Sequence, residues 1–120
     1  MTVWLTGPPG AGQPAAAGVL AERLRGAGRR VKVLDIDGTP GARSDGQVRR
    51  AGLAAEVLAR NGFVVLVPAV EAAADAHAVV RRRHRRSGTA FLDVPLADAQ
   101  SAAESAAMLM DLLVERNFIR

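Results

Sequence analysis

Eight residues near the start of the chain, Gly7-Pro8-Pro9-Gly10-Ala11-Gly12-Gln13-Pro14, have the length and glycine placement of a Walker A phosphate loop. In an intact loop, consecutive backbone N–H groups converge on phosphate oxygens at a helix N-terminus. A lysine reaches the β and γ phosphates, and a Ser or Thr hydroxyl joins the magnesium shell. Here Gln13 stands at the lysine position and Pro14 at the hydroxyl position. Glutamine donates hydrogen bonds but brings no positive charge to a developing phosphoryl anion. Proline removes the hydroxyl and a backbone donor together, yet sits comfortably in a helix's first turn. Gly7, Gly10, Ala11, Gly12, Gln13 and Pro14 are therefore expected to keep the loop's shape and to hold phosphate or sulfate weakly. Efficient magnesium-nucleotide turnover is not expected. The plainer reading is a Gly/Pro-rich turn with no nucleotide history.

Asp35 and Asp37 flank Ile36 where a strand should end. Paired carboxylates at a strand's C-terminal end lie where α/β sites gather, although Asp37-Gly38 also reads as a solvated turn. The densest charge run, Arg81-Arg82-Arg83-His84-Arg85-Arg86, could meet a polyanion, an acidic protein surface or anionic lipid. It also suits the solvated C-terminal end of a helix. No RNA-binding aromatic motif accompanies it, so nucleic acid is not the expected partner. His77 and His84 stand seven residues apart with no cysteine nearby; each reads as surface-borne, and no metal site is assigned. Trp4 reads as core.

The elements that must position these residues alternate. Thr2 to Thr6 is a short β-rich run, and Gln13 to Ala27 has helical spacing through Ala17, Leu20, Leu24 and Ala27, with Gly28 as its stop. Val31 to Leu34 is a second strand; Gln47 to Arg60 is a helix ended by Asn61-Gly62. Phe63 to Val67 is a continuous apolar run, as in a strand covered on both faces. Ala72 to Arg86 is helical, Ala90 to Val94 a fourth strand, and Asp98 or Ser101 caps a last helix to about Arg116. Its expected buried stripe is Ala103, Ala106, Met110 and Leu113. This alternation argues for an α/β fold: a parallel sheet with helices on both faces.

With 120 residues and no linker-like segment, the chain fits one domain. Sixteen Lys+Arg against twelve Asp+Glu give +4, too modest to imply a polyanion partner by itself. The absence of cysteine excludes thiolate catalysis and cysteine-ligated metals. No apolar run approaches a membrane span and no leader pattern opens the chain, so a cytoplasmic location is expected. Hydrophobic residues reach 49% while aromatics are only 3%, so alanine supplies much of a thin core. A homodimer or another protein partner is expected to cover what that core leaves open.

The blocks TVWLTGPPGAG, LAERLRGAGRRVKVLDIDG and QVRRAGLAAEVLARNGFVVLVPAV, in that order, resemble the adenylylsulfate kinase (APS kinase) family. Those P-loop enzymes phosphorylate the 3′ hydroxyl of adenosine 5′-phosphosulfate with ATP. The resemblance implies a P-loop NTPase-like three-layer sandwich with a reduced, mostly parallel sheet in the order 2-3-1-4, over a single shortened domain of residues 1–120. It makes Asp35 and Asp37 remnants of the family's Asp-Gly-Asp element, which helps organise the reacting hydroxyl, magnesium or nearby basic groups. It sets Ser44 and Gln47 where the family has Arg and Asn, leaving Gln47 and Arg50 as candidate contacts for a substrate anion. Glu71-Ala72-Ala73-Ala74 stands in place of the family's Ser-Pro-Tyr-Arg, and the mobile lid is mostly missing. The resemblance thus implies a pseudoenzyme or accessory subunit, with no resident cofactor. ATP and magnesium belong to the alternative, a divergent adenylylsulfate kinase or related small-molecule kinase.

Overall fold

The computed structural model describes residues 1–7, 12–34, 45–69, 74–96 and 101–116. Strands and helices alternate: β1 (Thr2–Thr6), α1 (Gln13–Gly26), β2 (Val31–Val33), α2 (Asp45–Arg60), β3 (Val64–Pro68), α3 (Ala74–Arg86), β4 (Phe91–Pro95) and α4 (Ala102–Glu115). The four strands form one sheet in the order β2-β3-β1-β4. Every pairing is parallel, with Trp4 opposite Val67 on one side and Asp93 on the other. Both the expected order and the expected parallel sheet are observed.

Successive residues of a strand face opposite sides of its sheet, and β1 and β3 use both. Val3, Leu5, Val64 and Leu66 join Leu20 and Leu24 of α1 and Leu109 and Leu113 of α4. Trp4, Val65 and Val67 join Val48 and Ala55 of α2 and Ala76 and Val80 of α3. The result is three layers with a separate core on each face. Ala16, Ala17 and Ala21 are buried, so much of α1's inward face is methyl groups.

Three connections from helix to strand are built alike. After α1, Gly28 N–H donates to Arg25 O and Arg29 N–H to Leu24 O, both at 3.0 Å. The same pair of bonds closes α2 around Gly62 and α3 around Gly88. Each of these glycines has φ between 69° and 87°, the left-handed turn that ends a helix and satisfies its last carbonyls.

Two helix faces differ from the expectation. Ala27 is exposed at the C-cap of α1, and the buried set there is Gln13, Ala16, Ala17, Leu20, Ala21 and Leu24. In α4 the buried residues are Ser105, Ala106, Leu109 and Leu113, while Ala103 is exposed and Met110 half-buried. Leu109 and Leu113 bury far more area than Ala103 can, and they set the helix's rotation against its own chain. Ser101 does cap α4, accepting the Glu104 N–H at 3.1 Å. Among the described residues, no helix is long and apolar enough to cross a membrane.

Candidate functional site

The order β2-β3-β1-β4 sends α1 to one face of the sheet and α3 to the other, from neighbouring strands β1 and β3. A crevice opens at the C-terminal ends of strands where connections diverge in this way. Gly7 at the end of β1 and Gly12 at the start of α1 lie there.

Gly7 leaves β1 with φ +134° and passes directly under Leu96. A Cβ at position 7 would stand 2.6 Å from the Leu96 carbonyl oxygen, so no larger residue fits. Gly12, at φ 79°, is the N-cap of α1 and offers no side-chain cap. Gln13 opens the helix, only 2% exposed, and its Nε2 lies 3.1 Å from where that Gly7 Cβ would be. The amide therefore folds back over Gly7. Pro14 follows within the first turn, which contains no acidic residue. That turn itself adds no carboxylate to the positive end of the helix dipole, which suits an anion there.

Gln47 and Arg50 lie near the start of α2, at the same end of the sheet; Gln47 is half-buried and Arg50 exposed. Gly10, Ala11, Asp35, Asp37, Ser44 and Glu71 lie outside the described residues.

The face covered by α3 holds polar chemistry that the sequence reading passed over. His84 is not surface-borne. It is fully buried, with Nδ1 2.9 Å from the Val80 carbonyl and Nε2 2.9 Å from Thr2 Oγ1. A carbonyl can only accept, so Nδ1 carries the proton and Nε2 accepts from the Thr2 hydroxyl. Burial pushes the His84 pKa below its ordinary value, against the opposing effect of the Val80 bond. His77 is half-buried, stacked on Trp4 at 5.6 Å, with Nε2 2.5 Å from Asp93 Oδ1. Arg81 donates to the other Asp93 oxygen, Nε at 3.0 Å. Burial alone would raise the Asp93 carboxyl, but His77 and then Arg81 outweigh it and hold it low. Glu56, also buried, is likewise held low by Ser87 and Arg83 against the effect of burial. The spacing Ala76, Val80, His84 marks one helical stripe, a signal that could have placed His84 inside. Among the described residues, no three His, Cys, Asp or Glu are grouped to hold a metal.

The family model for adenylylsulphate kinase matches residues 1–106. The chain belongs to the adenylylsulfate kinase family. The adenylyl-sulfate kinase of a Picosynechococcus species is 33% identical over 110 residues, covering 83% of this chain and 62% of that protein. A Synechococcus relative of the same name is 36% identical over 106 residues, covering 80% and 60%. This family member thus spans about three-fifths of the length of the curated relatives it matches. A mutant form of the Mycobacterium tuberculosis APS kinase CysC superposes with a TM-score of 0.83 at 30% identity, over 94% of this chain and 96% of that one. CysC in complex with AMPPNP and APS gives 0.71 at 27% identity, over 99% and 75%. The adenylylsulfate kinase fold is therefore present from β1 to α4.

Proposed function

We propose that this chain is an adenylylsulfate-kinase-like accessory subunit or pseudoenzyme, whose loop holds an anion loosely and does not transfer phosphoryl groups efficiently. The observation that carries the reading is the opening of α1. Gln13 folds over Gly7 where a cation would be needed, and Pro14 follows it. The chain's single lysine, Lys32, is exposed on the edge strand β2 and belongs to no loop.

Family membership implies ATP and magnesium for an active relative. Position 14 offers no hydroxyl to a magnesium shell and position 13 no charge to the β and γ phosphates, so these residues do not fit the magnesium nucleotide. The anion that the loop does suit is held by backbone N–H groups and the α1 dipole, with the Gln13 amide at its side. The second reading, a divergent adenylylsulfate kinase, draws on the likeness to CysC in complex with AMPPNP and APS.

Calorimetric titration with ATP-magnesium, ADP and adenosine phosphosulfate separates the two. The expected result is weak nucleotide binding little improved by magnesium. Low-micromolar ATP-magnesium binding together with phosphoryl transfer to adenosine phosphosulfate would establish the kinase instead. In the double variant Gln13→Lys, Pro14→Thr, phosphate binding is expected to improve more than turnover.

A further inference from the structure

We propose that the seam between α2 and α3 is a docking groove for an acidic amphipathic helix of another protein. The two helices approach closely because α2 carries Gly52 at their crossing, where a Cβ would overlap both methyls of Val80. Beside that contact lies a groove of about 160 Å³, floored by Gly52, Leu53, Val79 and Val80 and edged by Arg49 and Arg83. The apolar surface continues along α2. Leu53 is 42% exposed and Val57 58%, and with Val114 they are the large hydrophobic side chains left exposed among the described residues.

Arg49, Leu53, Val57 and Arg60 fall at steps of four, four and three, which is one stripe of a helix. The stripe is apolar in the middle and cationic at both ends. Across the seam, α3 adds exposed Arg82, Arg83 and Arg86. The acidic side chains described on the two helices are Glu56 and Asp75. Glu56 is buried and already receives Arg83 at 3.2 Å; Asp75 sits in the first turn of α3, at the other end from the arginines. Arg83 is thus met by Glu56, while among the described residues Arg49, Arg60, Arg82 and Arg86 have no acidic partner. A second cavity, about 270 Å³ beside β4, has Asp93 in its own lining, bound to Arg81.

Charge and shape together select the occupant. A second copy related by a two-fold would bring these arginines against each other, at a repulsive cost. A bilayer surface is entered by protruding apolar side chains, whereas this floor is concave. Phosphate backbones have no use for an apolar floor. A helix with apolar residues on one face and Asp or Glu beside them matches both features: one apolar side chain fills the groove, and the acids meet Arg49, Arg60 and Arg86. The proposal rests on no assumption about phosphoryl transfer.

The test is selection of a displayed amphipathic-helix library, randomised at its exposed positions, on the intact protein. Enrichment of Asp and Glu flanking an apolar stripe is expected. The selected peptides should lose about tenfold or more in affinity to Leu53→Arg and to Arg49→Glu, and bind several-fold more weakly at high salt than at low. Both positions are exposed, so these variants should melt as the parent does; Val57→Arg serves if one does not. The proposal is overturned by a lack of enrichment, by winners without acidic bias, or by acidic winners indifferent to both Leu53→Arg and Val57→Arg. It is equally overturned if phosphatidylserine vesicles pellet the parent but not Leu53→Arg, or if sedimentation shows a dimer that Leu53→Arg dissolves.

Discussion

At the scale of single residues, His84 links folding to pH. Its neutral form makes both of its hydrogen bonds, to Val80 and Thr2, buried beside the Phe91 ring. The folded protein therefore resists protonating it, and its pKa lies below the ordinary histidine value of about 6.5. The unfolded chain takes up that proton first as pH falls. The contribution of His84 is complete above pH ~6.5 and is lost progressively below it, toward the folded pKa. Glu56 and Asp93, held low, add stability present above the ordinary carboxylate range and lost as pH falls through their folded values. Two separate stages of acid destabilisation follow. Melting temperatures recorded from pH 8 to pH 3 should show both, and His84→Leu should abolish the first while keeping the second. Thr2→Val, which leaves a buried ring nitrogen without its donor, should cost about 1–3 kcal/mol at neutral pH. Its loss would be read in denaturant titrations.

At the scale of elements, the contact of α2 with α3 depends on a missing side chain. Gly52→Ala would put a methyl 2.8 Å from Val80 Cγ1 and closer still to Cγ2, forcing the helices apart. A loss of about 1–3 kcal/mol is expected, with partial rescue by Val80→Ala in the same chain; the double-mutant cycle checks it. Ser101→Ala should cost about 1 kcal/mol by removing the α4 cap, read by thermal denaturation. The elements themselves were legible in the sequence, because Phe63 to Val67 is apolar throughout and Asn61-Gly62, coming after a helical run, is a stop signal. Strand order was not legible from periodicity and came from the family resemblance. The rotation of α4 was misread, since alanines lie on several sides of that helix and only the leucines discriminate among them. Within the site, the substitutions at positions 13 and 14 could be read directly. That the Gln13 amide turns inward depends on the backbone at Gly7 and Leu96, distant partners that spacing cannot reveal. His84 was hidden by its neighbours: a residue among five arginines looks solvated until the four-residue steps from Ala76 are followed.

At the scale of the whole molecule, stability should be graded across the sheet. β1 is paired on both sides, to β3 and β4, and β3 is paired on both sides, to β1 and β2. Strands of this kind open only with the molecule, whereas a three-residue edge strand such as β2 can detach locally. Native-state hydrogen exchange should find the slowest amides at Val3 to Leu5 and Val65 to Val67, and markedly faster exchange at Val31 to Val33. Uniform protection across all four strands would count against this gradient. The opposite edge, β4, has a different consequence. A strand with one side unpaired is a template on which a second molecule can extend the sheet, the first step toward insoluble fibres. On β4 the ionised Asp93 gathers His77 and Arg81 around itself, and Pro95 closes the strand with a residue that has no N–H to give. An arriving strand would have to strip water from that cluster of charges and would then find its last donor missing. The contacts of Asp93 with His77 and Arg81 therefore guard against misassembly as well as holding α3 to the sheet.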